Sequence, residues 1–261
     1  MRIFETHAHY DDERFNEDRA SLLASMEEHG IGPIINVGAS MDSAKESYNL
    51  ALEYPFVYAA LGVHPSDIDT LDDDGKQWII NHASDPKTVA VGEIGLDYYW
   101  EKDEQVRKRQ QEIFKEQLDI ALESDLPVII HSREACEDTF FILKEAIDRG
   151  VRGVMHCFSY SPEIADEYVK RGFYLGIGGV VTFKNSKKLK ETVESVPLSS
   201  LVLETDCPYL APEPFRGKRN DSTYLPYVVQ AIAKIREITE DEVIEATAQN
   251  ARRLFSKVNY R

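Results

Sequence analysis

Six residues of this 261-residue chain have the types to hold divalent metal: His7, His9, Glu93, His131, His156 and Asp206. In His7-Ala8-His9 the two imidazoles are separated by one residue. Alternate residues of a strand point to the same side, so both rings can share one ion. Glu93 interrupts the apolar run Ala90-Val91-Gly92-Glu93-Ile94. A buried carboxylate there is costly unless it is paired or bound to metal. Asp206 follows Leu201-Val202-Leu203 in the same manner. Four imidazoles with two carboxylates suit two borderline divalent ions such as Zn2+, Mn2+, Co2+ or Ni2+, with Mg2+ also admitted. Two ions about 3.5–4 Å apart generate a hydroxide nucleophile and stabilise the attacking and leaving oxygens of a displacement, which is hydrolytic chemistry. Ordinary roles stand beside each assignment: a core or surface histidine, a Glu93–Arg133 ion pair, a turn cap at Asp206. Joint placement favours the metal reading.

That placement depends on the elements. Short apolar, β-branched runs occur at Ile3-Phe4, Pro33 to Val37, Val57 to Val63, Thr88 to Ile94, Pro127 to Ile130, Gly153 to Met155, Phe173 to Ile177 and Leu201 to Leu203. They read as eight parallel strands covered on both faces. Between them, 105–124 and 140–147 carry helical periodicity, and Ser161-Pro162 opens a helix to about Arg171. Two more helices, 224–237 and 240–256, close the chain, the second with a capping box from Thr239 and Glu242. The arithmetic is that of an α/β fold, a (β/α)8 TIM barrel forming a single domain over 1–261, although a doubly wound sheet gives a similar string. His7 and His9 close strand one, His64 follows strand three, and Glu93, His131, His156 and Asp206 end strands four, five, six and eight. In a barrel those ends converge on one face. Glu204, two residues before Asp206, is expected in the layer below as a supporting group.

A net charge of −16 argues against a broad surface for coating nucleic acid. Anionic substrate must be held locally, and Arg216-Gly217-Lys218-Arg219 is the densest basic cluster outside helices. Cys136, Cys157 and Cys207 lack C-x-x-C spacing; Cys157 and Cys207, beside candidate ligands, read as small buried hydrophobes. There is no apolar run of about 20 residues and no signal-peptide pattern, so a cytoplasmic location without membrane contact is expected.

Taken in order, Thr6-His7-Ala8-His9, Gly62-Val63-His64-Pro65, Gly92-Glu93-Ile94-Gly95-Leu96-Asp97-Tyr98, His131-Ser132-Arg133, His156-Cys157-Phe158-Ser159 and Glu204-Thr205-Asp206-Cys207-Pro208 span nearly the whole chain. Together they resemble the TatD-family metal-dependent deoxyribonucleases, within the amidohydrolase-like barrels. The resemblance implies one metal on His7, His9, Glu93 and Asp206 and a second on Glu93, His131 and His156, with Glu93 bridging. It also implies DNA as substrate, cleaved at phosphodiester bonds near strand ends. One departure is visible: Glu5 and Tyr10 stand where the family usually has Asp and Leu. The expected mechanism has Asp206 orient water activated by the ions, with Glu93 the other catalytic carboxylate. His64, Arg133 and Arg219 are the candidate phosphate contacts. No obligate protein partner is implied. Two rival readings use the same ligands: an amidohydrolase-like enzyme cleaving a small ester, lactone or C–N bond, and a non-catalytic module stabilised by metal.

Overall fold

A computed structural model describes residues 2–260; of the domain expected over 1–261, Met1 and Arg261 lie outside the described residues. The strands are β1 (Ile3–Ala8), β2 (Ile31–Val37), β3 (Val57–Leu61), β4 (Thr88–Asp97), β5 (Val128–Arg133), β6 (Gly153–Met155), β7 (Tyr174–Ile177) and β8 (Leu201–Leu203). Each pairs in parallel with the next, in chain order. The two edges also meet. Ala8 bridges Cys207, the Asp206 N–H donates to the His7 carbonyl at 3.0 Å, and the His9 N–H donates to the Cys207 carbonyl at 2.9 Å. This is a (β/α)8 barrel and not a doubly wound sheet, whose strand order reverses part-way. Its seam lies at the residues singled out for metal.

Among the described residues eight α-helices follow the strands: α1 (Arg19–Ser25), α2 (Met41–Glu53), α3 (Asp73–Ala83), α4 (Glu104–Glu123), α5 (Cys136–Asp148), α6 (Pro162–Lys170), α7 (Lys187–Ser195) and α8 (Leu225–Arg236). A further helix, α9 (Glu240–Leu254), begins with the expected capping box between Thr239 and Glu242. Ser161 occupies the N-cap position of α6 with Pro162 after it, but its side chain makes no cap hydrogen bond. Among the described residues no helix is long and apolar enough to cross a membrane.

Two apolar layers hold the barrel. Ile34, Leu61, Ile130 and Leu203 face outward against helix residues such as Leu118, Leu143 and Val229. Phe4, Tyr58, Ile129, Val154 and Val202 fill the interior, where Ala251, Leu254 and Phe255 join them. The Asn250 side chain donates to the carbonyls of Leu198 and Leu201, at 2.9 and 2.8 Å, at the start of β8. Helix α9 therefore closes the N-terminal end of the barrel, which leaves the C-terminal end open.

Strands β4 and β5 run further than their apolar runs indicate. Glu93 does not end β4: pairing with β5 continues through Gly95↔His131 and Asp97↔Arg133. Glu93 and His131 thus sit inside the mouth, with Asp97 and Arg133 above them. The pairing of β1 with β2 and of β4 with β5 is interrupted by register irregularities. In β1, Phe4 belongs to the inner layer and Ala8 to the outer one, so the shift re-aims His7 and His9 inward. At Gly95, with φ +145°, a Cβ would lie 1.9 Å from the His131 carbonyl oxygen; only glycine lets β4 and β5 approach so closely there.

Candidate metal centre

At the open end five imidazoles converge on Glu93, and Asp206 stands against three of them. One carboxylate oxygen, Oε2, faces His7 Nε2 at 3.4 Å and His9 Nε2 at 3.8 Å. The other, Oε1, accepts from His131 Nδ1 at 2.8 Å and faces His156 Nε2 at 3.8 Å and His64 Nε2 at 3.9 Å. Asp206 Oδ1 lies 3.4 Å from His9 Nε2, 3.8 Å from His7 Nε2 and 3.7 Å from His156 Nε2. His156 stacks on His7, ring centroids 3.6 Å apart, so it leans toward Asp206 as much as toward Glu93. Among the described residues four groups of donors could hold an ion: His7 with His9 and Glu93, His7 with His156 and Asp206, His64 with Asp97 and His131, and His156 with Cys157 and Glu204. The proposed pair His131 and His156 shares Glu93 Oε1 without belonging to one such group. Glu93 has no ion pair with Arg133 to explain its burial; its partners are all imidazoles.

Hydrogen bonds behind the rings select which nitrogen faces inward. His9 Nδ1 donates to the Val37 carbonyl at 2.8 Å, which leaves the Nε2 lone pair for an ion. His131 Nε2 is 3.1 Å from Asp97 Oδ2, so its inward donor is Nδ1. His156 Nδ1 lies 3.2 Å from Glu204 Oε1, close but without hydrogen-bond alignment. Glu204 also accepts from the Cys157 N–H at 2.6 Å. The space for its carboxylate comes from Gly176, where a Cβ would stand 2.1 Å from Glu204 Oε2. His64 differs: its Nδ1 accepts from the Ser66 N–H at 3.1 Å, so Nε2 carries the proton and faces the site as a donor.

The charge balance asks for cations. Burial pushes the Glu93 carboxyl up, yet His156, His7, His131 and His64 together hold it well below the usual carboxylate range. Asp206 is likewise depressed against burial, by His156, His9 and His7. Burial opposes charge on His9 and His156, but Asp206 raises the first to about 9 and Glu204 with Glu93 raises the second to about 10. Desolvation lowers His7, and it lowers His64 to about 3, so His64 is neutral. Protonated imidazoles therefore offset the carboxylates when no ion is bound. Divalent ions do the same while keeping the rings neutral, as ligation requires. Cys207 is fully buried and Cys157 lines the pocket; burial pushes both thiols well up, which suits apolar packing and not ligation.

A family model described as TatD related DNase matches residues 4–256. The chain belongs to that family. Its relatives carry the name of metal-dependent hydrolases: YabD of Bacillus subtilis strain 168 is 43% identical over 97% of this chain and 98% of its own length. YcfH of Escherichia coli K12 is 34% identical, covering 98% of this chain and 96% of its own. A crystal structure of the TatD homologue YjjV from Escherichia coli K12 superposes with a TM-score of 0.91 at 33% identity, covering 98% of both chains.

In this TatD-family chain the unusual Glu5 and Tyr10 form one buried network. Glu5 accepts from the Thr205 N–H at 2.9 Å, Thr205 Oγ1 at 2.7 Å, Ser222 Oγ at 2.9 Å and the His7 N–H at 3.2 Å. The Tyr10 hydroxyl donates to Ser222 Oγ at 2.7 Å and accepts from the Ser222 N–H at 3.0 Å. The network ties the His7 segment to the Asp206 segment across the barrel seam. Burial raises the Glu5 carboxyl to about 8.

The expected phosphate contacts separate. His64 and Arg133 line the pocket above Glu93. Arg219 does not: its guanidinium grips Asp18 with bonds of 2.7 and 2.6 Å and donates to the Arg14 carbonyl at 2.8 Å, pinning its loop to the start of α1. Its neighbours stack on rings, Arg216 over Phe183 and Lys218 over Phe215. Of the three cations, Arg219 is the one whose charge is taken by a carboxylate. Residues that the sequence reading left unassigned, Asp11, Asp12, Asp97, Trp100 and Tyr209, also line the pocket. Asp97 had a signal: it stands four residues after Glu93, on the same side of β4. His29 and His82 stay away from the site, each bonded to a carbonyl of its own segment.

Proposed function

We propose that this chain is a metal-dependent hydrolase that cleaves DNA phosphodiester bonds and removes nucleotides from strand ends. The observation that carries it is Glu93, which turns one oxygen to His7 and His9 and the other to His131 and His156 at the floor of an open cavity of about 670 Å3. Such a carboxylate is suited to bridge two ions. In this reading His7, His9, Glu93 and Asp206 would hold one divalent ion, and Glu93, His131 and His156 would hold the other. Mg2+, Mn2+, Zn2+, Co2+ and Ni2+ are the candidates. When bound, such a pair activates water at neutral pH and offsets the charge that develops on a phosphoryl group.

The chain's own groups do the rest. Asp206 is anionic and its side chain keeps partial access to the pocket, so it accepts a hydrogen bond from the attacking water and orients it. Neutral His64 donates a hydrogen bond from its Nε2–H to a phosphoryl oxygen, and the Arg133 guanidinium adds charge at the next level. Asp97 holds His131 from behind, and Glu204 places its charge beside His156. The overall charge of −16 favours brief engagement of a strand end, because little outside the pocket attracts polyanion.

The test is to strip the protein with chelator, restore Mg2+, Mn2+, Co2+ or Zn2+ singly, and assay end-labelled single- and double-stranded DNA beside an ester and a lactone. Glu93→Ala and Asp206→Ala are the controls. Metal-dependent shortening from one end, lost in both variants, is expected. Hydrolysis of ester or lactone with DNA untouched would overturn the substrate. Metal-dependent folding with no turnover at all would make the chain a binding module.

A further inference from the structure

Beside the pocket floor stands a shelf of exposed aromatic surface. Trp100 is 70% exposed and Tyr99 41% exposed, in a protein whose other large apolar side chains are mostly buried. The two rings meet edge to face, centroids 4.7 Å apart. Arg133 lays its guanidinium over Tyr99 at 4.0 Å and over Trp100 at 5.6 Å. A stacked guanidinium keeps its edge donors available for phosphate oxygens. Trp100 lines the pocket, so the exposed indole and its neighbours form a contiguous aromatic patch at the cavity edge, the kind of surface that marks a binding site.

The shelf is built into the site by one carboxylate. Asp97 Oδ1 accepts from the N–H groups of Tyr99 at 2.9 Å and Trp100 at 3.0 Å, while Asp97 Oδ2 meets His131 Nε2 at 3.1 Å. The Asp97 N–H in turn donates to Gln110 Oε1 at 3.1 Å, which anchors the turn on α4. The loop that carries the rings is thus held at a set distance from a metal-facing imidazole. Across the barrel, at the β8 and β1 side, Arg14 lies over Tyr209 at 4.2 Å, and Tyr209 lines the same pocket. Aromatic–arginine stacks therefore flank the floor on both sides.

We propose that Trp100, with Tyr99 and Arg133, is a stacking site for one unpaired nucleobase adjoining the phosphodiester held over Glu93. Every base presents a π-face, so such a shelf accepts single-stranded ends without reading sequence. A base inside a duplex has both faces covered by its neighbours and must be unpaired and unstacked to enter. The Arg133 edge meets the phosphate of the stacked nucleotide. The inference rests on the nuclease reading above and deepens it by naming what recognises the strand.

Two measurements separate the shelf from that reading. The first compares a single-stranded oligonucleotide with the same strand carrying abasic residues at its last two positions. The wild-type protein is expected to show a KM for the abasic strand higher by about 5- to 150-fold, the span of base–aromatic stacking. In Trp100→Ala the two substrates become equal, and Trp100→Phe restores most of the difference. If Trp100→Ala keeps the wild-type ratio, the shelf is wrong while the nuclease stands. The second uses Trp100 fluorescence in Trp78→Phe, which leaves one of the two tryptophans as reporter. Intact oligonucleotide is expected to quench it in the presence of Ca2+, and the abasic strand not. Should the wild-type protein cleave no DNA under any metal, this titration alone decides: quenching keeps the shelf without the nuclease, and no quenching removes both.

Discussion

The floor of the pocket and its rim are made of opposite materials. His7, His9, Glu93 and His156 are each at most 7% exposed and are held by strands that the barrel registers against one another. Trp100, Tyr99 and Tyr209 are exposed, sit on loops, and owe their placement to a few hydrogen bonds such as those that Asp97 accepts. The floor concentrates charge that must be balanced; the rim offers flat surfaces with arginines on them. The difference teaches that chemistry and recognition are separately adjustable here. Loops tolerate change more readily than registered strands, so substrate preference can shift while the floor stays constant.

The comparison predicts a descending series of effects. Glu93→Gln strikes the floor at its centre, and kcat is expected to fall by about 10^3-fold or more, with less metal retained by elemental analysis. Retention of both rate and metal would sink the bridging role. Asp97→Asn keeps an oxygen for the loop N–H groups but weakens the partner of His131, and should lower metal affinity or activity by about 10–100-fold in a chelator competition. A loss confined to KM would assign Asp97 to the rim instead.

Metal removal tests how far the floor supports the fold. Restoring an ion at 100 times its Kd stabilises the native state by about 2.7 kcal/mol, or about 5–10 °C in Tm for a chain of this size. A Tm indifferent to every metal would contradict tight binding at the barrel seam. Away from both regions, Thr239→Ala removes the capping box of α9 and should cost about 1 kcal/mol in denaturant melts, with no change in KM. Smallest of all is Arg219→Ala. Its partly exposed pair with Asp18 contributes under about 1 kcal/mol, and KM for DNA should move less than twofold. A large rise in KM would return Arg219 to the substrate path.

The floor was legible in the chain because each of its residues breaks a pattern. Histidines and acids at the ends of apolar β-runs stand out against what burial tolerates, and their joint recurrence at strand after strand implies a barrel. The rim was not legible. An exposed tryptophan in Asp97-Tyr98-Tyr99-Trp100 reads like any loop aromatic, and nothing local says that Arg133, from another strand, lies on its neighbour. Arg219 shows the converse. In sequence it belongs to the strongest basic cluster, yet Asp18, about two hundred residues earlier, takes its charge.

By itself, then, the order of residues determined the alternation of strands and helices, the number of strands, the capping of α9 and the identity of the buried polar groups, because these follow from local periodicity and from the cost of burying charge. Tertiary structure alone decided which way those groups point. The register irregularities in β1 and β4 turn His7, His9 and Glu93 inward against the parity of Phe4 and Val91, and pairing with β5 carries β4 on to Asp97. Side-chain direction in a strand depends on pairing with a neighbour distant in sequence, and that information exists only once the barrel has closed.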